Sequence, residues 1–191
     1  MKTNKKDLTT EESLRIINEM IETVKGNVRD KSYYFLLWGW IVILGSIGHY
    51  VLLKFTEFSR PEIAWLVVII GLILSFIRGF QQGKATKVIT HIDKVYIWVW
   101  MVFLVSYSII IIFMSKINYA VTPLVFLLAG NATFLSGTIL KFRPLIWGSI
   151  IMWIGAILTF FLSYEHQLII SPAIIVIGYL IPGYLLRMKK E

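Results

Sequence analysis

The sequence contains no cysteine among its 191 residues. Disulfides, thiolate zinc sites and cysteine nucleophiles are therefore excluded, since each of them needs a thiol. Charged residues are also scarce, at 16% of the chain against about 25% in soluble proteins. Hydrophobic residues reach 57%, and the mean hydropathy is +0.74. A soluble fold has nowhere to bury so much apolar surface, so the composition indicates a protein that lies in a lipid bilayer.

Charged side chains are missing from the middle of every long apolar stretch, since Glu62, Arg78 and Lys94 all lie near its edges. Charges at mid-bilayer cost roughly 2.5–3.5 kcal/mol on insertion scales and commonly mark ion pathways, so their absence argues against an ion-coupled pump. No serine stands in a nucleophile-elbow motif, and no glycine-rich loop follows a strand to hold phosphate. We therefore expect no enzyme activity, no cofactor and no metal ligands.

Six apolar segments are each long enough to cross about 30 Å of hydrocarbon as a helix. The sequence thus predicts an all-α, polytopic membrane bundle over residues 34–186, preceded by an amphipathic cytoplasmic segment over 1–33 and followed by a basic tail over 187–191. The six predicted spans are Tyr34–Leu53, Glu62–Phe80, Lys94–Met114, Tyr119–Leu140, Pro144–Leu162 and Leu168–Leu186.

Lysine and arginine lie mostly on one side of these spans. Seven precede span one, four lie between spans two and three, two between spans four and five, and three follow span six, making sixteen of nineteen. The positive-inside rule then predicts that both termini lie in the cytoplasm, and we expect a multi-pass protein of the inner (plasma) membrane. The net charge of +8 accordingly indicates contact with anionic lipid at the cytoplasmic face rather than with nucleic acid. Tyrosine and tryptophan near the span ends, among them Trp65, Tyr96 and Tyr164, are interpreted as interface anchors.

Polar residues inside the spans are few. Asn131, Thr133 and Ser136 make span four the most polar, so we expect it to be central, and His49 lies near the outer end of span one. These four residues either line a polar pathway or form interhelical packing contacts. By residue type, His49 could also bind a divalent ion together with three residues of the outer loops, Glu57, Glu165 and His166. The spacing of these four residues matches no metal motif.

Small residues and prolines predict how the bundle packs. Span two carries Gly71, Ser75 and Gly79 at four-residue spacing, a smooth stripe that favours close approach to a neighbouring helix. Pro172 and Pro182 lie in span six. Because proline removes a helix hydrogen bond, span six is expected to be bent or to end early.

The N-terminal segment carries the signature of an amphipathic helix. Thr9 and Glu12 fit a capping box at its start, and Gly26-Asn27 predicts its end. Apolar residues then recur at alternating three- and four-residue steps, continued at Val28, and we call the first four the apolar seam: Leu14, Ile17, Ile21 and Val24. Such a stripe must be buried against the bilayer surface, the protein's own loops, a second copy or a cytoplasmic protein.

Two stretches resemble known proteins. Residues 134–148, which include the turn Lys141-Phe142-Arg143-Pro144, and residues 179–184, Tyr-Leu-Ile-Pro-Gly-Tyr, resemble a group of bacterial inner-membrane proteins with six spans. Residues 34–40, which follow an acidic-basic helix, extend the resemblance over most of the chain. That group has no known activity, so the resemblance implies a fold and a membrane but no functional residue.

Two functions agree with these features. The first is a non-enzymatic scaffold or regulatory partner that acts through its cytoplasmic face, where the apolar seam and the basic loops meet another protein or a second copy in a homodimer. The alternative is a small transporter or channel for an uncharged or apolar solute, with its pathway along span four.

Overall fold

The computed structural model describes residues 10–85 and 91–189, with side chains for residues 31–81 and 92–189. Throughout this part of the chain the regular structure is helical, which confirms the all-α polytopic bundle. Six stretches are long and apolar enough to cross a membrane, and we call them spans one to six: Lys31–Phe55, Pro61–Gln81, Ile92–Ile112, Val121–Ile139, Arg143–Phe161 and Tyr164–Met188.

Span one is the second half of a single long helix, α1 (Thr10–Phe55), of 46 residues, which is about 69 Å at a rise of 1.5 Å per residue. The predicted helix end at Gly26-Asn27 is therefore wrong. Glycine closes a helix when it turns into the left-handed conformation, and no glycine of the described chain has a positive φ. Inside a helix it costs only about 1 kcal/mol relative to alanine. The side chains of the apolar seam, and Thr9 of the capping box, lie outside the described residues.

The remaining elements follow with short connections. A 3₁₀ turn (Pro61–Leu66) leads into α2, and a second one (Met114–Ile117) follows α3. Lys141, at a φ of 48°, makes the turn before α5, and Pro144 stands in the first turn of that helix, where its missing N–H costs nothing. The helices are α2 (Val67–Ala85), α3 (His91–Ile112), α4 (Val121–Ile139), α5 (Arg143–Phe161), α6 (Tyr164–Ile175) and α7 (Ile181–Met188).

Span six is irregular, as its prolines predict, but it does not end early. Pro172 lies inside α6, and a π turn (Val176–Leu180) joins α6 to α7. Pro182 in the first turn of α7 has no N–H to bond the carbonyl of Gly178, four residues back. The helix widens at that point and then continues to Met188.

The centre of the bundle is span six rather than span four. Half of the residues in its most apolar stretch are buried, against 39% in the corresponding stretches of spans one, four and five and 6% in those of spans two and three. Gly39 of span one, and Gly148 and Gly155 of span five, lie directly against span six, and a Cβ on Gly148 would overlap the carbonyl oxygen of Gly178. Close approach at these glycines encloses the middle of span six.

Spans two and three lie at the periphery. Span two meets span one at Gly71, where an added Cβ would lie 3.2 Å from the Ile41 side chain. This confirms that the stripe of small residues contacts a neighbouring helix, although Gly79 at its far end is exposed.

Ion pairs mark the two ends of the bundle. Lys31 and Asp93 join the starts of spans one and three, and Lys54 and Glu165 join the end of span one to the start of span six, both at 2.7 Å. We call the first end the terminal face, because the N- and C-terminal segments leave the spans there, and the second the far face.

Candidate functional site

A buried histidine lies near the far face. His49 is 1% exposed, and the indole N–H of Trp65 donates to its Nδ1 at 2.9 Å. Accepting at Nδ1 requires that a neutral imidazole carry its proton on Nε2. The Tyr164 hydroxyl lies 3.4 Å from both ring nitrogens. We call these three residues the far-face cluster, and they connect spans one, two and six.

Glycines in span one make room for this cluster. Gly45, one turn before His49, lies beneath the indole of Trp65, and an added Cβ would be 2.8 Å from Cε3 of that ring. Ser46 donates from Oγ to the carbonyl oxygen of Leu168 at 2.9 Å. Span one thus brings His49 to its partners through a smooth surface and a hydrogen bond to span six.

Two of the titratable residues of the far face have partners of their own. Glu165 pairs with Lys54, and His166 shares a hydrogen bond with Ser163 at 2.7 Å, while Glu57 is exposed. Within the described residues, no three His, Asp or Glu side chains lie close enough together to hold a metal ion.

A cavity of about 300 Å³ opens beside the far-face cluster, and Tyr164 belongs to both. Its wall comes from the start of α4, the end of α5 and the start of α6, with Tyr119, Thr159 and Gln167 among the lining residues. Gln167 donates from Nε2 to the carbonyl oxygens of Thr159 and Leu162, each at 3.0 Å. These hydrogen bonds fix the connection between spans five and six at the wall of the cavity.

The terminal face carries a second polar group. Lys31 is the centre of it, since its Nζ pairs with Asp93 and also lies 5.0 Å from the ring centroid of Tyr96. A cation over an aromatic face is attracted by the ring quadrupole. Tyr96 is itself only 8% exposed, so it is a buried residue between spans rather than an interface anchor.

The polar residues of span four lie in different surroundings. Asn131 is exposed and accepts a hydrogen bond from the Trp153 indole at 3.0 Å. Thr133 is fully buried and donates to the Met152 sulfur at 3.9 Å. Ser136 is fully buried as well, and its Oγ has no hydrogen-bond partner among the described residues. Gly130 lies flush against Trp153, so spans four and five are closely packed here.

The four sequence-predicted residues thus fall into separate places. His49 contacts spans two and six, whereas Asn131 and Thr133 contact span five. The residues that contact His49 are Trp65 and Tyr164, which the sequence indicates only as interface anchors. One sequence signal points to the pairing of His49 with Trp65: the two residues lie near the facing ends of consecutive spans that a short loop joins.

No protein-family model, no curated protein and no solved structure matches this chain. The class of protein is therefore defined by the chain's own fold. Its six apolar helices in an all-helical bundle are those of a multi-pass α-helical membrane protein.

Proposed function

We propose that this protein is a non-enzymatic scaffold of the bacterial inner membrane that holds a cytoplasmic protein through its N-terminal helix. The terminal face is then the cytoplasmic one, with both termini on that side, as the distribution of lysine and arginine indicates.

The observation that carries the proposal is the unbroken course of α1 (Thr10–Phe55). The part that precedes span one, from Thr10 to Asp30, is about 30 Å long. A helix that continues a membrane span without a break leads away from the bilayer, which favours a protein partner over the lipid surface. By its spacing, the apolar seam occupies one side of this helix, where a protein partner can cover it.

Charge favours a different protein over a second copy of this chain. The connections on the far side balance three basic residues, Lys54, Arg60 and Lys116, with three acidic ones, Glu57, Glu62 and Glu165. The net charge of +8 therefore belongs entirely to the cytoplasmic side. The helical part from Thr10 to Asp30 itself carries three basic and five acidic residues, so the positive charge lies in the segments beside it. Two copies in one membrane bring these positive segments together, which opposes their association.

Span one also links the cytoplasmic helix to the core of the bundle. Phe35 is fully buried among the core residues, and Gly39 lies against Leu180 of span six. A partner held on the first half of α1 is therefore anchored to the most enclosed part of the molecule. The transport alternative gains no comparable support, because Thr133 and Ser136 are buried side chains, and Asn131 and Thr133 bond to span five.

The test is site-specific photo-crosslinking in intact cells. A photoreactive residue replaces Ile21 in the apolar seam, and the matched control replaces Thr23, which lies on the same turn but about 200° away around the helix. We expect an adduct with a different protein from position 21 and none from position 23.

Charge substitutions give the second half of the test. Ile21→Lys is expected to abolish co-purification of that partner, whereas Thr23→Lys, which adds the same charge off the seam, leaves it intact. Adducts only with lipid, or only with a second copy of the chain, contradict the proposal.

A further inference from the structure

A polar side chain is exposed in the middle of span four. Asn131 lies about 15 Å along the helix from the start of the span at Val121 and about 12 Å from its end at Ile139, at a rise of 1.5 Å per residue. The hydrocarbon core of a bilayer is about 30 Å thick, so this amide is near its centre. The side chain is exposed on the surface of the bundle, where it meets lipid tails rather than water.

Trp153 of span five determines how the amide is turned. An indole N–H can only donate, and it donates to Oδ1 of Asn131 at 3.0 Å, so the amide oxygen is the atom that lies against span five. The indole itself is held in place between Gly130 and the ring of Phe134. The amide nitrogen, Nδ2, has no acceptor within hydrogen-bond distance among the described residues.

The acceptor for Nδ2 therefore has to come from outside this bundle. Lipid tails contain no hydrogen-bonding group, and an unsatisfied polar group is costly in hydrocarbon. Lipid headgroups carry acceptors, but they lie about half the thickness of the hydrocarbon away from Asn131. In membrane proteins asparagine commonly bonds to a neighbouring helix, and such a helix can bring an acceptor to this depth.

The residues around Asn131 have the spacing that paired helices use. They recur at steps of four and three residues, which keeps them on one side of the helix, and all are exposed or partly exposed. We call them the Asn131 face: Leu124, Leu128, Asn131, Leu135 and Thr138. In a pair of helices with this spacing, a single asparagine among apolar residues fixes which positions lie opposite each other.

A second copy of the chain carries the required acceptor at the required depth. When two copies are related by a two-fold axis along the membrane normal, each residue of the Asn131 face lies at the same depth as its counterpart. An amide oxygen has two lone pairs, and Trp153 uses one of them. Nδ2 of each copy can therefore donate to Oδ1 of the other, so that the two asparagines satisfy each other.

We propose that this protein forms a homodimer in the membrane through the Asn131 face of span four, with the two Asn131 amides hydrogen-bonded to each other. The like charges of the cytoplasmic side oppose this pairing, but salt screens exposed charges beyond about 8 Å. In the hydrocarbon nothing replaces the missing acceptor, so the amides outweigh the charges. The contact does not use the N-terminal helix, which continues span one, so the apolar seam stays available to a different protein.

The first test is disulfide cross-linking of single cysteines in the native membrane, which is possible because the chain has no cysteine of its own. Leu135→Cys lies on the Asn131 face, and Ile73→Cys on span two is the matched control, since these positions are 47% and 54% exposed. With copper phenanthroline as the oxidant, we expect a covalent dimer from Leu135→Cys and none from Ile73→Cys. Equal cross-linking at both positions, no cross-link at all, or a link from position 135 only to a different protein would overturn the proposal.

The second test removes the amide. Asn131→Leu alone leaves the Trp153 indole without its acceptor, so it is combined with Trp153→Phe, and the single variant Trp153→Phe is the reference. Energy transfer between labelled copies in liposomes, measured as lipid is added, gives the dimerisation constant of each variant. We expect the double variant to dimerise about tenfold more weakly than Trp153→Phe, because hydrogen bonds between membrane helices are lost. Equal dimerisation constants, or a reference that is monomeric at every dilution, contradict the proposal.

Discussion

At the scale of single residues, the polar side chains inside the bundle differ in how they are satisfied. His49 accepts from an indole on another span, Thr159 bonds back to carbonyls of its own helix, and Asn131 joins spans four and five. Among these hydrogen bonds, only those between different spans help to fix the relative position of the helices. His49 contacts two other spans, so its replacement is expected to have the largest effect at the far face.

We predict that His49→Phe lowers the free energy of unfolding by about 1–3 kcal/mol, because the buried indole N–H of Trp65 loses its acceptor. Thermal or denaturant unfolding in detergent measures the change. Phenylalanine also places a flat ring at this position, so lost packing contributes little to the change.

A double-mutant cycle separates this hydrogen bond from other effects. Adding Trp65→Phe to His49→Phe removes the unpaired donor as well, and replacing both partners is expected to cost less than the sum of the single changes. Strictly additive losses would show that the two side chains are not coupled.

At the scale of elements, α1 is the unusual feature. Most helices in globular proteins have about 10–14 residues, whereas α1 has 46 and passes Gly26 without a break. In its second half the helix is stabilised by packing on spans two and six.

The continuity of α1 predicts a single distance between two spin labels. With Glu12→Cys and Arg29→Cys, the backbone separation is about 26 Å along an unbroken helix. Because the chain has no native cysteine, the labels occupy only these two positions. Pulsed electron paramagnetic resonance is expected to show one narrow distribution.

Asn27→Pro is the control for this measurement. Proline inside the helix removes a hydrogen bond and kinks it, so the distribution should broaden and shorten. If the unaltered protein already gives the broad distribution, the helix bends at Gly26-Asn27 instead.

At the scale of the whole molecule, the bundle is enclosed on one side and open on the other. Spans one, four, five and six form the core, while spans two and three are 6% buried and expose apolar side chains such as Phe76 and Val102. In a bilayer these surfaces face lipid tails, so their exposure agrees with a membrane protein.

The proposed orientation predicts which single cysteines react from outside the cell. A membrane-impermeant maleimide should label Glu57→Cys in intact cells, because Glu57 is exposed on the far face. Arg143→Cys, equally exposed but on the terminal face, should react only after the membrane is opened. The reverse pattern would place both termini outside.

The sequence by itself determined the number of spans, their bounds to within a few residues, and the irregularity of span six. These depend on properties that are local to the chain, because the transfer of a helix into lipid is the sum of its own residues' contributions and a proline lacks its N–H in any fold.

Only the tertiary structure decided which span is central, which residues complete the environment of His49, and that Tyr96 is buried between spans. Each of these depends on how neighbouring helices are rotated and how closely they approach. At Gly148 and Gly45 that approach is set by surfaces from distant parts of the chain. A periodicity identifies the face of a helix but not the helix that covers it. The polarity of span four therefore did not show that span six would be the more enclosed.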